Sequence, residues 1–395
     1  MSDIIDAERL VAGCADDSFA AGIKIVTDLE PVGGPGAPVK PAVYEGGKYQ
    51  LDRRWEGTDA DAPVDVVVID NVPSQANRLE AATLRHRSTA GVPDIRLDLG
   101  GVADLPAHLS RELSSWQFPH RNADAYLRDA QLDGGPFLRS DVGTALFAAT
   151  PSAAGPLMAW FPQALLYGFW QSHLGKKRAN TKHARAWVSE VIGWRPATIE
   201  TKVLGLKGDP LNLNTDEMVT SNPDDREDWE FGKARIDGAK SDRLSEMGHG
   251  QVPFTRDADT APAGISFARI TQTATVSFAQ LRRVSLGGCA SADADARALL
   301  VALGLFAHVH AFGRGFELRS GADLRPIRSE ITYLGEDGDT TVDALDRVHT
   351  TALLGDARAQ AAAAGVPLDG WGREPLVLTP RDNLAKAIRA TWPLD

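Results

Sequence analysis

Residues 64–69 read VDVVVI, a near-continuous run of β-branched side chains. Such a run fits a strand buried on both faces. It passes directly into DNVPSQANRLEAATLRH. There Asn71 or Ser74 suits a helix cap, Pro73 suits a first turn, and Leu79, Ala82 and Leu84 give an apolar side. A buried strand needs partner strands, and the chain offers them. Residues 22–27 (GIKIVT) are strand-like and precede a Pro/Gly-rich loop at 31–41. Residues 264–284 read as two strands, and 316–319 and 325–334 add one each. Residues 164–170 (ALLYGFW) read as a further buried strand. Helices are expected at 122–131, at 182–192 with Ala184, Trp187, Val188 and Val191 on one side, and at 293–312. The last, with Leu299, Leu300, Leu303 and Phe306, has the strongest helical repeat. The polar stretch 204–253 reads as an insertion or long loop, and acidic and alanine-rich helices close the chain. Strands and helices interleave, so the class is α/β or α+β. A strand at 64–69, a helix, later strands, the long helix and a final strand suit a βαββαβ core with insertions.

Composition narrows the function classes. The 395 residues are 43% hydrophobic and 24% charged, which is ordinary globular usage. The two cysteines, Cys14 and Cys289, form no framework and are expected as reduced thiols of a cytoplasmic protein. Residues 142–170 carry no charge, but Pro151, Gly155, Pro156, Pro162 and Gly168 interrupt them, so no membrane helix is expected there. No phosphate-binding loop, dinucleotide fingerprint or HExxH is present, and GRG at 313–315 does not complete one. No cofactor and no metal is therefore expected. His308 and His310 stand two apart on a helix, face different ways and are expected to be structural.

The charge distribution points to an anionic partner. The chain has a formal net charge of -11, yet 171–189 (QSHLGKKRANTKHARAWVS) contains Lys176, Lys177, Arg178, Lys182 and Arg185, beside His173 and His183, with no acid. A positive patch on an acidic protein suits one anionic partner held on one surface; a solvated face is the plainer alternative. Ser74, Gln75, Asn77 and Arg78 sit where a strand turns into a helix. Free N–H groups, short neutral donors and a planar guanidinium there suit phosphate oxygens, although Gln75 and Asn77 also suit simple capping. His120, followed by Arg121, and His249, between Gly248 and Gly250, are the imidazoles open to acid–base or phosphate roles.

These stretches resemble a known family. LEPVGG and VYEGGKY (29–34, 43–49), VVVIDNVPSQANRLE (66–80), PHRNADAYLRD (119–129), ALLYGFWQSHLGKKRANTKHARAWVSEVIG (164–193), GHGQVPF (248–254), ARITQTATVSFAQLRRV (268–284) and ALGLFAHVHAFGRGFELRS (302–320) are similar, in order, to the RAMP-superfamily backbone subunit of CRISPR type I-U (I-G) Cascade effectors. The resemblance implies an α+β, RRM-like (ferredoxin-like) palm with a thumb hairpin and helical finger insertions. The main palm segments would be 64–193 and 264–335, the thumb or insertion 194–263, and a helical extension 336–395. It implies a non-catalytic subunit that binds crRNA, lines up with neighbouring copies of itself and other Cascade subunits, and presents the guide to target DNA. Ser74, Gln75 and Arg78 resemble the family's SxQxxxR-like element in a different register, since Gln75 directly follows Ser74. The implied RNA-binding set adds Asn77, His120, Arg121, the basic stretch, His249, Arg282 and Arg283, with Phe254 as a base wedge or a core residue. The alternatives are a RAMP-type endoribonuclease using His120 or His249, and a small-molecule enzyme on an α/β scaffold.

Overall fold

The computed structural model describes residues 4–58, 60–103, 105, 108–172, 181–197, 211, 213–214, 216–221, 229–232, 240–249, 264–286 and 290–391. They divide into two compact units. One gathers 1–42, 51–197 and 265–395; the other gathers 43–50 and 198–264.

The larger unit is built on an eight-stranded antiparallel sheet. In chain order its elements are α1 (Ala7–Cys14), β1 (Gly22–Pro31), β2 (Leu51–Arg54), β3 (Val64–Asp70), α2 (Val72–Arg85), α3 (Pro162–Tyr167), the hairpin strands β4 (Phe169–Gln171) and β5 (Thr181–His183), β6 (Trp187–Pro196), β7 (Phe267–Ser277), α4 (Ala290–Phe312), β8 (Phe316–Glu317), β9 (Asp323–Gly335), β10 (Gly338–Val342) and α5 (Arg347–Ala363). The hairpin β4–β5 stands apart from the main sheet, whose order is β8-β9-β1-β7-β6-β3-β2, with β10 paired to β9. Numbering β1, β6, β7 and β9 as first to fourth, the centre runs fourth, first, third, second, with α2 following β3 and α4 joining the third strand to the fourth.

Alternation sorts the sheet's two faces. Ile23 and Ile25 of β1 stand opposite Val276 and Ala274 of β7, and Trp187 of β6 also pairs with Val276. All are buried in one core with Leu299, Leu303 and Phe306 of α4. Helix and sheet meet closely at Gly304: a Cβ there would lie 2.5 Å from the Trp187 ring. The other face carries Thr271, Thr273 and Thr275, and a separate small apolar cluster of Val66, Val68 and Ile192. Helix α4 is apolar enough to cross a membrane by length and composition over Ala292–Phe312, but 94% of that window is buried inside the fold.

Several expectations are corrected. Residues 182–192 form no helix: Trp187, Ser189 and Val191 are buried alternately along β6, where pairing on both sides overrides helical spacing. Residues 164–170 are mostly helix, because Pro162 opens α3 and Gly168, at φ 80°, ends it before β4. The helix expected at 122–131 reduces to a 3₁₀ turn at Arg121–Ala123 and one turn at Ala125–Arg128. Residues 264–284 supply one strand, β7, and a helical turn at Phe278–Leu281 rather than two strands. Residues 336–395 are not wholly helical: they begin with β10, and Leu376–Pro380 pairs in parallel with Ile95–Asp98 in a second, five-stranded sheet. Strand β3 does not open the four-strand core; β1 does, and β3 lies outside β6.

In the smaller unit, Met218–Ser221 pairs with Trp229–Phe231 on one side and Lys240–Arg243 on the other. Val43–Tyr44 pairs with Lys48–Tyr49. The insertion expected at 194–263 overlaps this unit, although β6 keeps its first residues in the large sheet.

Candidate nucleic-acid interface

The element at the start of α2 is folded inward around one carboxylate. Asp70, at the end of β3, is fully buried. Its Oδ1 accepts from Ser74 Oγ at 2.9 Å and Arg319 Nη2 at 2.7 Å. Its Oδ2 accepts from Gln75 Nε2 at 2.6 Å and Arg78 Nε at 3.0 Å. Gln75 is itself fully enclosed, and its Oε1 accepts from Gln272 at 2.7 Å. Arg78 also donates to the Leu318 carbonyl at 2.6 Å, and Arg319 to the Ile69 carbonyl at 2.9 Å. Four donors on a buried charge satisfy it, as burial demands. The readings of Ser74, Gln75 and Arg78 as outward phosphate donors are therefore corrected: all three clasp Asp70. Asn71, not Ser74, caps the helix, and Asn77 is exposed.

Two other expected contacts are also internal. Arg121 makes a bidentate pair with buried Glu80, at 2.7 and 2.9 Å, and donates to the Gly168 carbonyl at 2.9 Å. Burial pushes the Glu80 carboxyl up, and Arg121 opposes that rise. Arg282 donates to the carbonyls of Ala15, Gly13 and Ala20. These are structural uses of guanidinium forks.

Of the expected cations, Lys182 and Arg185 lie at the β4–β5 hairpin. Trp170 of β4 pairs directly with Lys182 of β5, so both side chains leave the same face. Trp170 is 63% exposed, and Lys182 and Arg185 are exposed. Between them, His183 turns inward and bonds the Leu165 carbonyl at 2.9 Å. Burial holds its imidazole below the usual range despite that bond, and Arg283 is near enough to press it further the same way. Arg283 is exposed. Gly168, at the root of β4, lets the Arg185 backbone approach: a Cβ there would lie 2.8 Å from the His183 carbonyl. The Arg121–Glu80 pair thus ties the hairpin root to α2. Lys176, Lys177 and Arg178 belong to the connection between β4 and β5 and lie outside the described residues. So does Phe254.

This patch joins an exposed indole to the exposed cations Lys182 and Arg185. An aromatic face can stack a base and cations can neutralise phosphates, neither requiring a particular sequence. Sequence reasoning missed Trp170 because ALLYGFW reads as continuously buried. Its signal was position, one residue past the break at Gly168 and beside a basic run.

The two imidazoles proposed for acid–base work belong to different units. His120 is exposed, and its backbone N–H donates to Asp124 at 3.0 Å. His249 lies in the smaller unit with its ring 6.0 Å from that of Trp229. Among the described residues no group of three His, Cys, Asp or Glu is placed to hold a metal ion. Cys14 is buried, which pushes its thiol up to about 12, and Cys289 lies outside the described residues.

No curated protein matches the chain. Residues 23–197, from β1 through the hairpin to β6, match the model of the family described as CRISPR-associated protein GSU0053, which makes this part of the chain similar to a CRISPR-associated protein.

Proposed function

We propose that this protein is a guide-RNA-binding backbone subunit of a CRISPR surveillance complex, gripping the RNA without reading it. The observation that carries the proposal is the pairing of exposed Trp170 with Lys182, with exposed Arg185 three residues on, on a chain of net charge -11. Stacking and phosphate contact together favour single-stranded RNA over a duplex, whose bases are covered. The strand order fourth, first, third, second, with α2 and α4 as its helices, supports reading the sheet as an RRM-like palm. The smaller unit then supplies the insertion, and the role needs no catalytic residue.

In this reading, base pairing delegates sequence recognition to the guide, so the protein positions the strand and leaves base edges free for target DNA. Copies of the chain would lie side by side along the guide, next to other subunits of the complex. The test is binding of single-stranded oligoribonucleotides of several sequences to wild type and to W170A. Wild type should bind all of them alike, and W170A should weaken all by about tenfold, in line with ~1–3 kcal/mol for one stacked base. Equal binding by both proteins would remove the hairpin from the interface.

A further inference from the structure

A second cationic site lies where α2 and α4 end. A cavity of about 320 Å³ is lined by Arg78, Arg85, His310, Arg314, Phe316 and Glu317, among others. Arg78 is already committed to Asp70. Arg85 and Arg314 are exposed and, among the described residues, neither hydrogen-bonds nor pairs with an acid. His310 is 7% exposed, and neither of its ring nitrogens has a partner. The ring is packed between Phe306, at 4.0 Å, and His86, at 4.4 Å between centroids. Arg347 stands close enough to act on both imidazoles, and its Nη2 is buried without a partner. Burial, with His86 and Arg347 beside it, pushes His310 down to about 4, so the ring is neutral at pH 7 with one N–H to donate.

Arginines near helix C-termini also complement the helix dipole, which is a sufficient reason for one exposed guanidinium. It does not account for two unpaired guanidinium groups, Arg85 and Arg314, brought to one recess from different helix ends. With Arg78 taken by Asp70, the lining guanidinium groups of Arg85 and Arg314 meet only one lining carboxylate, Glu317. Such an excess in a recess suits a compact dianion that accepts several N–H bonds at once. At about 320 Å³ the space exceeds a single inorganic phosphate and suits a phosphate carried on a larger group.

We infer that this cavity binds a phosphomonoester, with Arg85 and Arg314 gripping the phosphate at the mouth. The chemistry is shared by a free nucleotide and by the terminal phosphate of an oligonucleotide. It does not depend on RNA binding at the hairpin.

Calorimetric titration of the nucleic-acid-free full chain with AMP, with adenosine, and with an oligoribonucleotide carrying a 5′-phosphate or a 5′-hydroxyl tests this. AMP or the 5′-phosphorylated strand should bind, and adenosine should not. R85A and R314A should each weaken the phosphate ligand about tenfold, as loss of a charge-assisted contact would. R85K and R314K, which keep the charge and lose the fork, should retain part of the affinity. AMP binding alone assigns the site to nucleotides; displacement of AMP by the 5′-phosphorylated strand but not its 5′-hydroxyl form assigns it to a strand end. No binding of either phosphate ligand, equal binding of adenosine, or full affinity in folded R85A and R314A would overturn the proposal. W170A should leave AMP binding unchanged.

Discussion

Asp70 shows how one side chain decides what its neighbours can do. Ser74, Gln75 and Arg78 were legible in the sequence as donors grouped at a helix start. Their direction was not, because Arg319, which shares the carboxylate, lies far along the chain and only the fold brings it there. Replacing Asp70 by Asn leaves Arg78 and Arg319 without their counter-charge inside the fold. D70N should lose about 3 kcal/mol in urea denaturation, at the lower end for a broken buried pair because both arginines are partly exposed. Asn77→Ala, on the exposed side of the same helix, should change stability little. His308 gives a pH prediction. Burial pushes its imidazole down to about 4, so the unfolded chain takes up the proton first as pH falls. The neutral ring costs nothing above about pH 6.5, and stability falls between about 6.5 and 4 by up to about 3 kcal/mol. Urea midpoints measured across that range should fall less steeply for H308Q than for wild type; parallel curves would show that His308 does not couple to folding.

At the scale of elements, the strands and helices fixed by burial on one persistent pattern were readable: 22–27, 64–69, 293–312 and 325–334 all fall inside observed elements of the expected kind. Errors fell where a short segment's state is set by its neighbours. Trp187, Val188 and Val191 satisfy helical spacing, yet β7 and β3 claim the segment from both sides. ALLYGFW changes from helix to strand at a single glycine whose positive φ has no signature beyond the residue itself. The contact of α4 with β6 belongs to this scale. Gly304→Val would force two methyl groups against the Trp187 ring, and thermal unfolding should show a loss of about 1–3 kcal/mol, the usual penalty for overpacking. Unchanged stability would mean that the helix and sheet can separate at no cost. The hairpin makes an electrostatic prediction: K182E with R185E should weaken RNA of every sequence and reduce the slope of log affinity against log salt by at least about 1.4, two phosphate contacts at about 0.7 each.

For the whole molecule, an acidic chain is compatible with binding a polyanion because its positive charge is unevenly used. Arg78, Arg121, Arg282, Arg297 and Arg319 are consumed by carboxylates and carbonyls inside the larger unit. Lys182 and Arg185 are left exposed at the hairpin. The sequence showed the basic run that marks this region but could not separate spent from available arginines, since that depends on partners remote in the chain. The similarity of residues 23–197 to CRISPR-associated proteins covers the same region. The most direct measurement is a filter-binding titration of nucleic-acid-free protein, wild type and W170A/K182E/R185E, with three single-stranded oligoribonucleotides of unrelated sequence. Similar wild-type affinities for all three, with a uniform loss of at least a hundredfold in the triple variant, is the predicted result. Affinity that follows the RNA sequence, or a triple variant that binds as wild type does, would contradict it.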